Sequence, residues 1–369
     1  MVFISADMVV PVFIFSSFII SAVLVSLVVA SASWHGRWTS DSAQGVQKIH
    51  LANVPRIGGL AIMMALSCCA FLLAMFPAIA PPTTGQALII ILICVLPAFL
   101  LGLAEDITNK IKPSLRLLAC LVTGLLAWVS GVEIGLVEIG FIDLMLGYAP
   151  LSLLASMIVV AALSNAMNML DGLNGLSSGY AMIAFSFFAY LALDNGVLDI
   201  GIICLVMIAV LAGFFVFNWP FGKLFLGDGG AYMIGGILAI IAIMLAQRTS
   251  AVTQALTLVI LAYPAWEILS SMVRRLIRSS PLTQPDNDHL HTRLYHCLKQ
   301  PYMPAFCANL ANPLAAVILV VDAFVIIAVM IGITQYFDLP SGSKLVIVIC
   351  EFILYTASFI ILGRLTRTD

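Results

Sequence analysis

The amino-acid sequence predicts an all-α, polytopic integral membrane protein with about eleven transmembrane helices. Of its 369 residues, 62% are hydrophobic and only 9% are charged, whereas a soluble domain is about 45–50% apolar and about 25% charged. Apolar runs of about 18 residues, close to the length that crosses a lipid bilayer, recur along the chain. We therefore treat residues 1–369 as a single transmembrane domain.

The predicted spans are separated by short segments that collect glycine, proline and the charged residues. They cover residues 8–31, 57–80, 87–104, 114–131, 149–165, 176–193, 197–217, 229–247, 253–273, 313–334 and 344–363. No basic residue precedes the first span, and Trp34, His35 and Arg37 follow it in place of a small-residue cleavage pattern. We expect this span to be an uncleaved anchor and not a signal peptide.

The basic residues predict the orientation, because Lys and Arg in short loops are retained in the cytoplasm. With the N-terminus on the periplasmic side, only Arg248 and Lys344 of all the Lys and Arg residues fall outside. The net charge of −2 and the lack of a basic block give no indication of nucleic-acid binding. The eight cysteines have no metal or disulfide spacing, which favours small buried hydrophobic residues.

Most acidic residues near the membrane gather at the predicted cytoplasmic ends of the spans. This group consists of Glu105, Asp106, Asp171, Asp228 and Glu267, whereas Asp322 and Glu351 fall in mid-span. A transporter is expected to place ionisable groups near the bilayer midplane. The sequence therefore predicts chemistry at the cytoplasmic surface.

Two polar segments on that face lie in the first half of the chain. KIHLANVPRIGG, residues 48–59, combines Lys48 and His50 with an Arg and a glycine pair, and an ordinary basic loop would look the same. GLAEDITNKIKPSLRL, residues 102–117, holds two adjacent carboxylates, which repel each other unless a cation lies beside them. Such a pair suits proton abstraction or metal-phosphate binding, and a solvated pair balanced by the nearby lysines is the alternative.

The third segment, NAMNMLDGLNGLSSG, covers residues 165–179. If the preceding helix continues through it, Asn165, Asn168 and then Asp171 or Asn174 recur at steps of three and share a face. The Asp-Gly and Asn-Gly pairs also indicate turns. A plain loop explains the glycines, but it does not explain the spaced asparagines.

The fourth segment, FNWPFGKLFLGDGGAYMIGG, places charge within a glycine-rich stretch. Gly227, Gly229 and Gly230 around Asp228 would let backbone approach a ligand, and the following helix N-terminus would offer free amides to an anion. Asp228 supplies hard oxygen suited to Mg²⁺, and Lys223 supplies positive charge for a phosphate.

The fifth segment, PDNDHLHTRLYH, lies in the longest predicted cytoplasmic loop, residues 274–312. His289 and His291 are two residues apart, which is not the spacing of a helical zinc site. Together with Arg293, they are more typical of donors to a phosphate or a uridine. The alternative is a solvated, histidine-rich loop.

Taken in order, the five segments resemble the polyprenyl-phosphate N-acetylhexosamine-1-phosphate transferase family. Its members include GlcNAc-1-phosphate transferases and, more distantly, the phospho-MurNAc-pentapeptide translocase. The family motifs are matched by Glu105 and Asp106; by Asn165, Asn168, Asp171 and Gly172; by Gly227, Asp228 and Gly230; and by Asp286, His289 and His291. The resemblance extends from about residue 45 to 300.

The resemblance implies a Mg²⁺-dependent enzyme, with Mn²⁺ as an alternative metal, in the bacterial inner (plasma) membrane. It would transfer HexNAc-1-phosphate from a UDP-sugar to undecaprenyl phosphate and release UMP. The product would start a cell-surface polysaccharide such as O-antigen, in lipopolysaccharide or cell wall biogenesis. The family further suggests a homodimer.

The resemblance also suggests roles for particular residues. Asp228 and Asn168 would hold the metal, Glu105 or Asp106 would deprotonate or orient the acceptor phosphate, and Asp171 would complete the catalytic pocket. The expected substrate-binding residues are Lys48, His50, Asn165, Asn174, Lys223, His289, His291 and Arg293.

Three positions depart from the family pattern. Glu105 replaces the first Asp of the acidic pair, Asn174 replaces an Asp, and Thr292 replaces a third His. The transferred sugar cannot be read from the motifs, although the histidine loop favours a GlcNAc-type donor over MurNAc-pentapeptide. A transporter or lipid flippase, and a catalytically inactive scaffold of the same fold, are the alternatives.

Overall fold

A computed structural model of the protein describes residues 6–41, 54–135, 137, 139–277, 288–337 and 341–366. Within these ranges the chain forms sixteen α-helices and one pair of two-residue antiparallel strands, β1 (Ser40–Asp41) and β2 (Val54–Pro55). In this pair Ser40 lies opposite Pro55, and Asp41 lies opposite Val54. The helical content confirms the all-α prediction.

The helices follow the predicted spans closely. In chain order they are α1 (Ala6–Ala30), α2 (Ala32–Thr39), α3 (Gly58–Met75), α4 (Pro82–Thr108), α5 (Pro113–Val129), α6 (Gly140–Leu146), α7 (Ala149–Leu170), α8 (Leu176–Asp194), α9 (Leu198–Asn218), α10 (Gly227–Arg248), α11 (Gln254–Ile260), α12 (Ala262–Ile277), α13 (Leu290–Leu298), α14 (Ala305–Asn309), α15 (Ala311–Tyr336) and α16 (Ser341–Thr366).

Nine helices of the described residues are long and apolar enough to cross a membrane, namely α1, α3, α4, α7, α8, α9, α10, α15 and α16. The shorter apolar helix α5 and the bent pair α11–α12 correspond to the two remaining predicted spans. The chain is therefore a multi-pass membrane protein. The side on which its N-terminus lies stays a prediction.

The ninth predicted span is not one straight helix. It divides into α11 and α12, which are inclined to each other by 80°. Pro264 accounts for the break, because it has no amide hydrogen to donate to the carbonyl of Ile260. The hydroxyl of Tyr180 donates to that carbonyl instead, at 2.6 Å. The substitute donor stabilises the bend, since an unpaired carbonyl in a membrane interior is costly.

Helix α10 is the central helix of the bundle and packs against α3, α4, α7 and α8. Its glycines permit these contacts: a methyl group on Gly102 of α4 would lie 2.5 Å from Cα of Gly229, and one on Gly230 would lie 2.8 Å from Cα of Gly59. Small residues allow membrane helices to approach this closely. The expectation that Gly229 and Gly230 admit a ligand is therefore wrong, because neighbouring helices occupy that space.

The two acidic residues predicted in mid-span differ in their surroundings. Glu351 of α16 is buried, whereas Asp322 of α15 is exposed. At the end of the bundle away from Asp228, Arg248 Nη1 lies 3.5 Å from Asp199 Oδ2. One of the two cations predicted outside is thus paired with an acid there.

Candidate active site

Five helix ends converge at one end of the bundle and bring together carboxylates and guanidiniums from distant parts of the sequence. We call this group the aspartate cluster; it consists of Arg56, Asp106, Arg116, Asp171 and Asp228. The acids come from the ends of α4 and α7 and from the start of α10. Arg56 lies just before α3, and Arg116 lies in the first turn of α5.

Asp106 caps the N-terminus of α10. Its Oδ1 accepts a hydrogen bond from the amide of Asp228 at 2.8 Å, and its Oδ2 accepts one from the amide of Gly229 at 3.0 Å. A carboxylate in this position satisfies two amides that have no partner within the helix. The expectation that these amides are free to bind an anion is therefore wrong.

The turn before α10 depends on Gly227, whose φ of +77° favours glycine. A methyl group there would lie 2.6 Å from Asp106 Oδ2. Gly227 therefore serves both the backbone turn and the close approach of the capping carboxylate.

Two arginines lie against Asp228, which is buried. Arg116 Nη1 pairs with its Oδ2, and Arg56 Nη2 lies 3.4 Å from its Oδ1. Arg56 Nη2 also lies 3.5 Å from Asp106 Oδ1. The guanidinium side chains of Arg56 and Arg116 are 23% and 18% exposed, so a ligand at the protein surface can reach them.

Sequence reasoning did not assign Arg56 or Arg116 to the site. Both stood in segments that were singled out, but they were interpreted only as cytoplasmic positive charge. A signal was available in the sequence. Arg56 lies close to the glycine pair at the start of one helix, and Arg116 follows two lysines at the start of another.

Asp171 is the C-terminal cap of α7 and lies within electrostatic range of Asp106, Asp228 and Arg56. Burial raises the pKa of its carboxyl well above the usual range; the positive charge of Arg56 opposes this shift, and the two other aspartates add to it. The amide of Gly227 donates a hydrogen bond to it. Asp171 is therefore a stronger base than an ordinary aspartate carboxylate.

Glu105, the other member of the acidic pair, is held by its own loop. Its Oε2 accepts a hydrogen bond from the amide of Ile111 at 2.7 Å, and its negative charge lies close enough to stabilise the Arg116 guanidinium. Both predicted candidates for the acceptor base, Glu105 and Asp106, thus have partners within the protein.

The asparagine segment is only partly helical. Helix α7 ends at Leu170, with Asn168 half-buried in its last turn and Asn165 donating its side-chain amide to the carbonyl of Ala161 at 2.8 Å. Asn174 lies beyond the helix and donates to the carbonyl of Pro220 at 3.2 Å. The predicted shared face therefore stops short of Asn174, because the helix does.

Lys223, the basic residue of the glycine-rich segment, is exposed to solvent. Its side chain is thus available to a ligand arriving from the aqueous side. Lys48, His50 and Asp286 lie outside the described residues.

A second group, the histidine cluster, consists of Glu267, His289 and His291. His289 Nδ1 lies 3.1 Å from Glu267 Oε2, and the amide of Leu290 donates to Glu267 Oε1 at 3.0 Å. The two imidazoles stack with centroids 5.3 Å apart and planes inclined by 7°. All three side chains are buried, so the alternative of solvated histidines is wrong for His289 and His291.

His291 joins the histidine cluster to the asparagine segment. Its Nε2 lies 2.6 Å from the position that a methyl group on Gly172 would take, next to Asp171. Burial lowers the pKa of His291 to about 4, and its neighbour His289 adds to the shift while Glu267 opposes it. The imidazole is therefore neutral at physiological pH.

Arg293 is engaged away from both clusters. Its Nε and Nη2 donate to the two oxygens of Asp288 at 2.6 and 2.9 Å, and its Nη1 donates to the carbonyl of Phe359 at 2.7 Å. The predicted role of Arg293 as a substrate ligand would require it to give up these contacts.

The donors of the aspartate cluster suit Mg²⁺ in type, because they are hard carboxylate oxygens. In the part of the chain that the structure describes, no three His, Cys, Asp or Glu side chains are arranged to hold a metal ion. Arg56 and Arg116 lie against the oxygens of Asp228 instead. A metal ion bound by Asp228 would have to compete with these guanidiniums.

Fold and site together define a multi-pass helical membrane protein with a charged site where five helix ends meet. Comparison with known proteins shows what this part of the chain is similar to. A family model described as glycosyl transferase family 4 matches residues 88–246, which include Asp106, Asp171 and Asp228.

Two relatives support the match. One is described as a probable undecaprenyl-phosphate N-acetylglucosaminyl 1-phosphate transferase of Bacillus subtilis (strain 168); it is 25% identical over 251 residues, which cover 67% of this chain and 67% of the relative. A phospho-N-acetylmuramoyl-pentapeptide-transferase of Streptococcus pneumoniae (strain CGSP14) is 31% identical over 200 residues, covering 53% and 61%.

These matches confirm the resemblance that the motifs indicated. Residues 88–246 are similar to glycosyl transferase family 4, and the chain spans about two thirds or less of the length of these relatives.

Proposed function

We propose that the protein transfers a HexNAc-1-phosphate group from a UDP-sugar to undecaprenyl phosphate, forming a polyprenyl-diphosphate sugar and UMP. The observation that carries the proposal is the aspartate cluster, in which Asp228 lies between two partly exposed arginines. Phosphoryl transfer depends mainly on positioning and on neutralising charge, and guanidiniums bind phosphate oxygens in pairs. Arg56 and Arg116 would bind the donor pyrophosphate.

The acceptor is proposed to reach this end of the bundle from the bilayer beside α12. Helix α12 packs against α7 and α16, and its C-terminal half exposes Val273, Leu276 and Ile277. Exposed apolar residues along one helix form a surface suited to a polyprenyl chain. A lipid lying there would present its phosphate near the helix ends that carry the site.

Asp171 is the best candidate for accepting the proton of the acceptor phosphate. Burial raises the pKa of its carboxyl, which makes the carboxylate a stronger base. Asp106 is occupied as the cap of α10, and Glu105 is bonded to the amide of Ile111. The geometry thus favours Asp171 over the two residues first proposed as the base.

Mg²⁺ is proposed as the cofactor, with Mn²⁺ as a substitute, and Asp228 and Asn168 would hold it. A bound divalent ion would supply Lewis-acid neutralisation of charge on the leaving phosphate. Asp106 keeps Asp228 at the start of α10 through two amide bonds. The remaining sites proposed for donor contacts are Lys48, His50, Asn165, Asn174, Lys223, His289 and His291.

The test is release of UMP by purified protein given undecaprenyl phosphate, Mg²⁺ and a panel of UDP-HexNAc sugars. We expect release with one donor and none in EDTA. Asp228→Asn is the inactive variant, and Asp199→Asn, at the opposite end of the bundle, is the matched control. A folded protein that releases no UMP with any donor would contradict the proposal and favour the transporter or scaffold alternatives.

The biological setting follows from the reaction class. We propose a bacterial inner-membrane enzyme that starts a cell-surface polysaccharide such as O-antigen and that works as a homodimer. Analysis of the lipid-linked glycans lost on deletion of the gene would test the pathway, and light scattering in detergent would test the dimer.

A further inference from the structure

The last turns of α16 contact both helices that carry the histidine cluster. We call this contact surface the α16 clamp and define it by Phe359, Gly363 and Leu365. The carbonyl of Phe359 accepts a hydrogen bond from Arg293 Nη1 at 2.7 Å, and the carbonyl of Leu365 accepts one from the hydroxyl of Tyr302 at 3.0 Å.

The ring of Phe359 lies beside guanidiniums from two different helices. The Cζ of Arg293, in α13, lies 3.5 Å from the ring centroid, and the Cζ of Arg274, in α12, lies 4.7 Å from it. Such cation–π contacts contribute more when they are shielded from water. One side chain thus contacts α12, which carries Glu267, and α13, which carries His291.

Gly363 allows Arg293 to reach this position. A methyl group on Gly363 would overlap Nη1 and lie 3.0 Å from Cζ of Arg293. Asp288, one residue before His289, fixes the other edge of the same guanidinium through two hydrogen bonds. The five N–H groups of a guanidinium lie in one plane with fixed directions. Bonds to several of them therefore also fix the position of helix α13, which carries Arg293.

We propose that Arg293 is a positioning residue, which the α16 clamp uses to hold His289 against Glu267 and His291 beside Gly172 and Asp171, and that it is not a phosphate ligand. The catalytic consequence rests on the proposed transferase function. The positional part does not, because it concerns only how the histidines are buried.

The first experiment is labelling of the detergent-purified full chain with diethyl pyrocarbonate, quantified at each histidine by mass spectrometry. His296 is exposed on α13 and reports reagent access, whereas His35 is buried in α2 and reports general unfolding. We expect Arg293→Gln to raise labelling of His289 and His291 at least about 5-fold relative to His296, since local opening exposes them. Labelling of His35 should not change.

Gly363→Ala tests the same contact without removing any charge. We expect it to raise labelling of His289 and His291 as Arg293→Gln does. The matched control is Gly332→Ala in α15, where a methyl group meets nothing within 4 Å. This pair also covers the case in which Arg293→Gln does not fold.

The second experiment separates positioning from phosphate binding by kinetics. If Arg293 positions the histidines, Arg293→Gln lowers kcat about 10- to 100-fold with little change in KM for the UDP-sugar, as expected for a small misplacement. Arg293→Lys should not restore kcat, because an ammonium cannot bond Asp288 and the Phe359 carbonyl in the same plane.

Unchanged histidine labelling in Arg293→Gln and Gly363→Ala would overturn the proposal, and so would an equal rise at His35. A raised KM that Arg293→Lys restores would show instead that Arg293 binds phosphate. If labelling rises but no variant, including the wild type, releases UMP, the clamp stands and the transferase function fails.

Discussion

The aspartate cluster and the histidine cluster lie at the same end of the bundle but use charge differently. Asp228 pairs with two arginines that are partly exposed to solvent, so the guanidiniums can also pair with an anionic ligand. Glu267 meets His289 and the amide of Leu290, and all are buried. The comparison supports the proposal that the first cluster binds the reacting phosphates, whereas the second is held by partners within the protein.

The largest effect should come from removing the central charge of the aspartate cluster. Asp228→Asn is expected to lower UMP release about 10³-fold, because its carboxylate would no longer hold a cation near the transferred phosphate. The fold should persist, since Asp106 bonds the backbone amide and not the side chain of this residue. Asp199→Asn should retain activity; comparable loss in both variants would remove the distinction between the two ends.

The histidine cluster should make the free energy of unfolding depend on pH. His291 has a pKa of about 4 in the folded protein and about 6.5 when unfolded. Below pH 6.5 the unfolded chain binds a proton that the folded chain does not accept until about pH 4. The free energy of unfolding should therefore fall by about 3 kcal/mol as the pH drops through this window.

Thermal unfolding of His291→Gln across the same pH range checks this assignment. The variant should lose most of that pH dependence, whereas His296→Gln, altered at an exposed site on α13, should keep it. Equal slopes in the wild type and His291→Gln would show that the burial of His291 does not govern acid stability.

The aspartate cluster depends on the contact between α4 and α10, which can be changed alone. In Gly102→Ala the new methyl group would lie 2.5 Å from Gly229 Cα and press on the segment that Asp106 caps. We expect a loss of about 1–3 kcal/mol in unfolding free energy, as for other overpacked sites. Gly332→Ala should be neutral or stabilising by about 0.5–1 kcal/mol, and a similar loss there would contradict the packing argument.

The smallest effect is expected at Glu105, despite its place in the acidic pair. Glu105→Gln keeps an oxygen for the amide of Ile111 and removes only the charge near Arg116. UMP release should fall less than about threefold, consistent with a partly exposed charge interaction. A loss as large as that of Asp228→Asn would restore Glu105 as a candidate base.

The spans could be predicted because the length and apolarity of a segment are local properties. The bend between α11 and α12 was also within reach, since Pro264 removes a helical hydrogen bond. The cap on α10 could not be predicted, because Asp106 and the amide of Asp228 are separated by 122 residues in the sequence. Without knowledge of that contact, the sequence predicted free amides and glycines that let a ligand approach the backbone.

The motifs identified the correct segments but not the partners within them. Asp171 was assigned to the site, yet its proximity to Asp106 and Asp228 depends on how α7 packs on α10. Arg293 was assigned to a phosphate because it follows two histidines, while its contacts come from α16, far along the chain. Tertiary packing therefore decides which polar residues remain available to a substrate.

The carboxylate cap on α10 also constrains how the protein is made. Two bare amides at the buried start of α10 would be left unsatisfied, at a cost of about 1–3 kcal/mol. Asp106 is synthesised well before α10 and is already placed at the end of α4 when α10 leaves the ribosome. We expect α4 to act as an internal chaperone for α10, so that crosslinking of arrested nascent chains would find the two helices paired before α16 is translated.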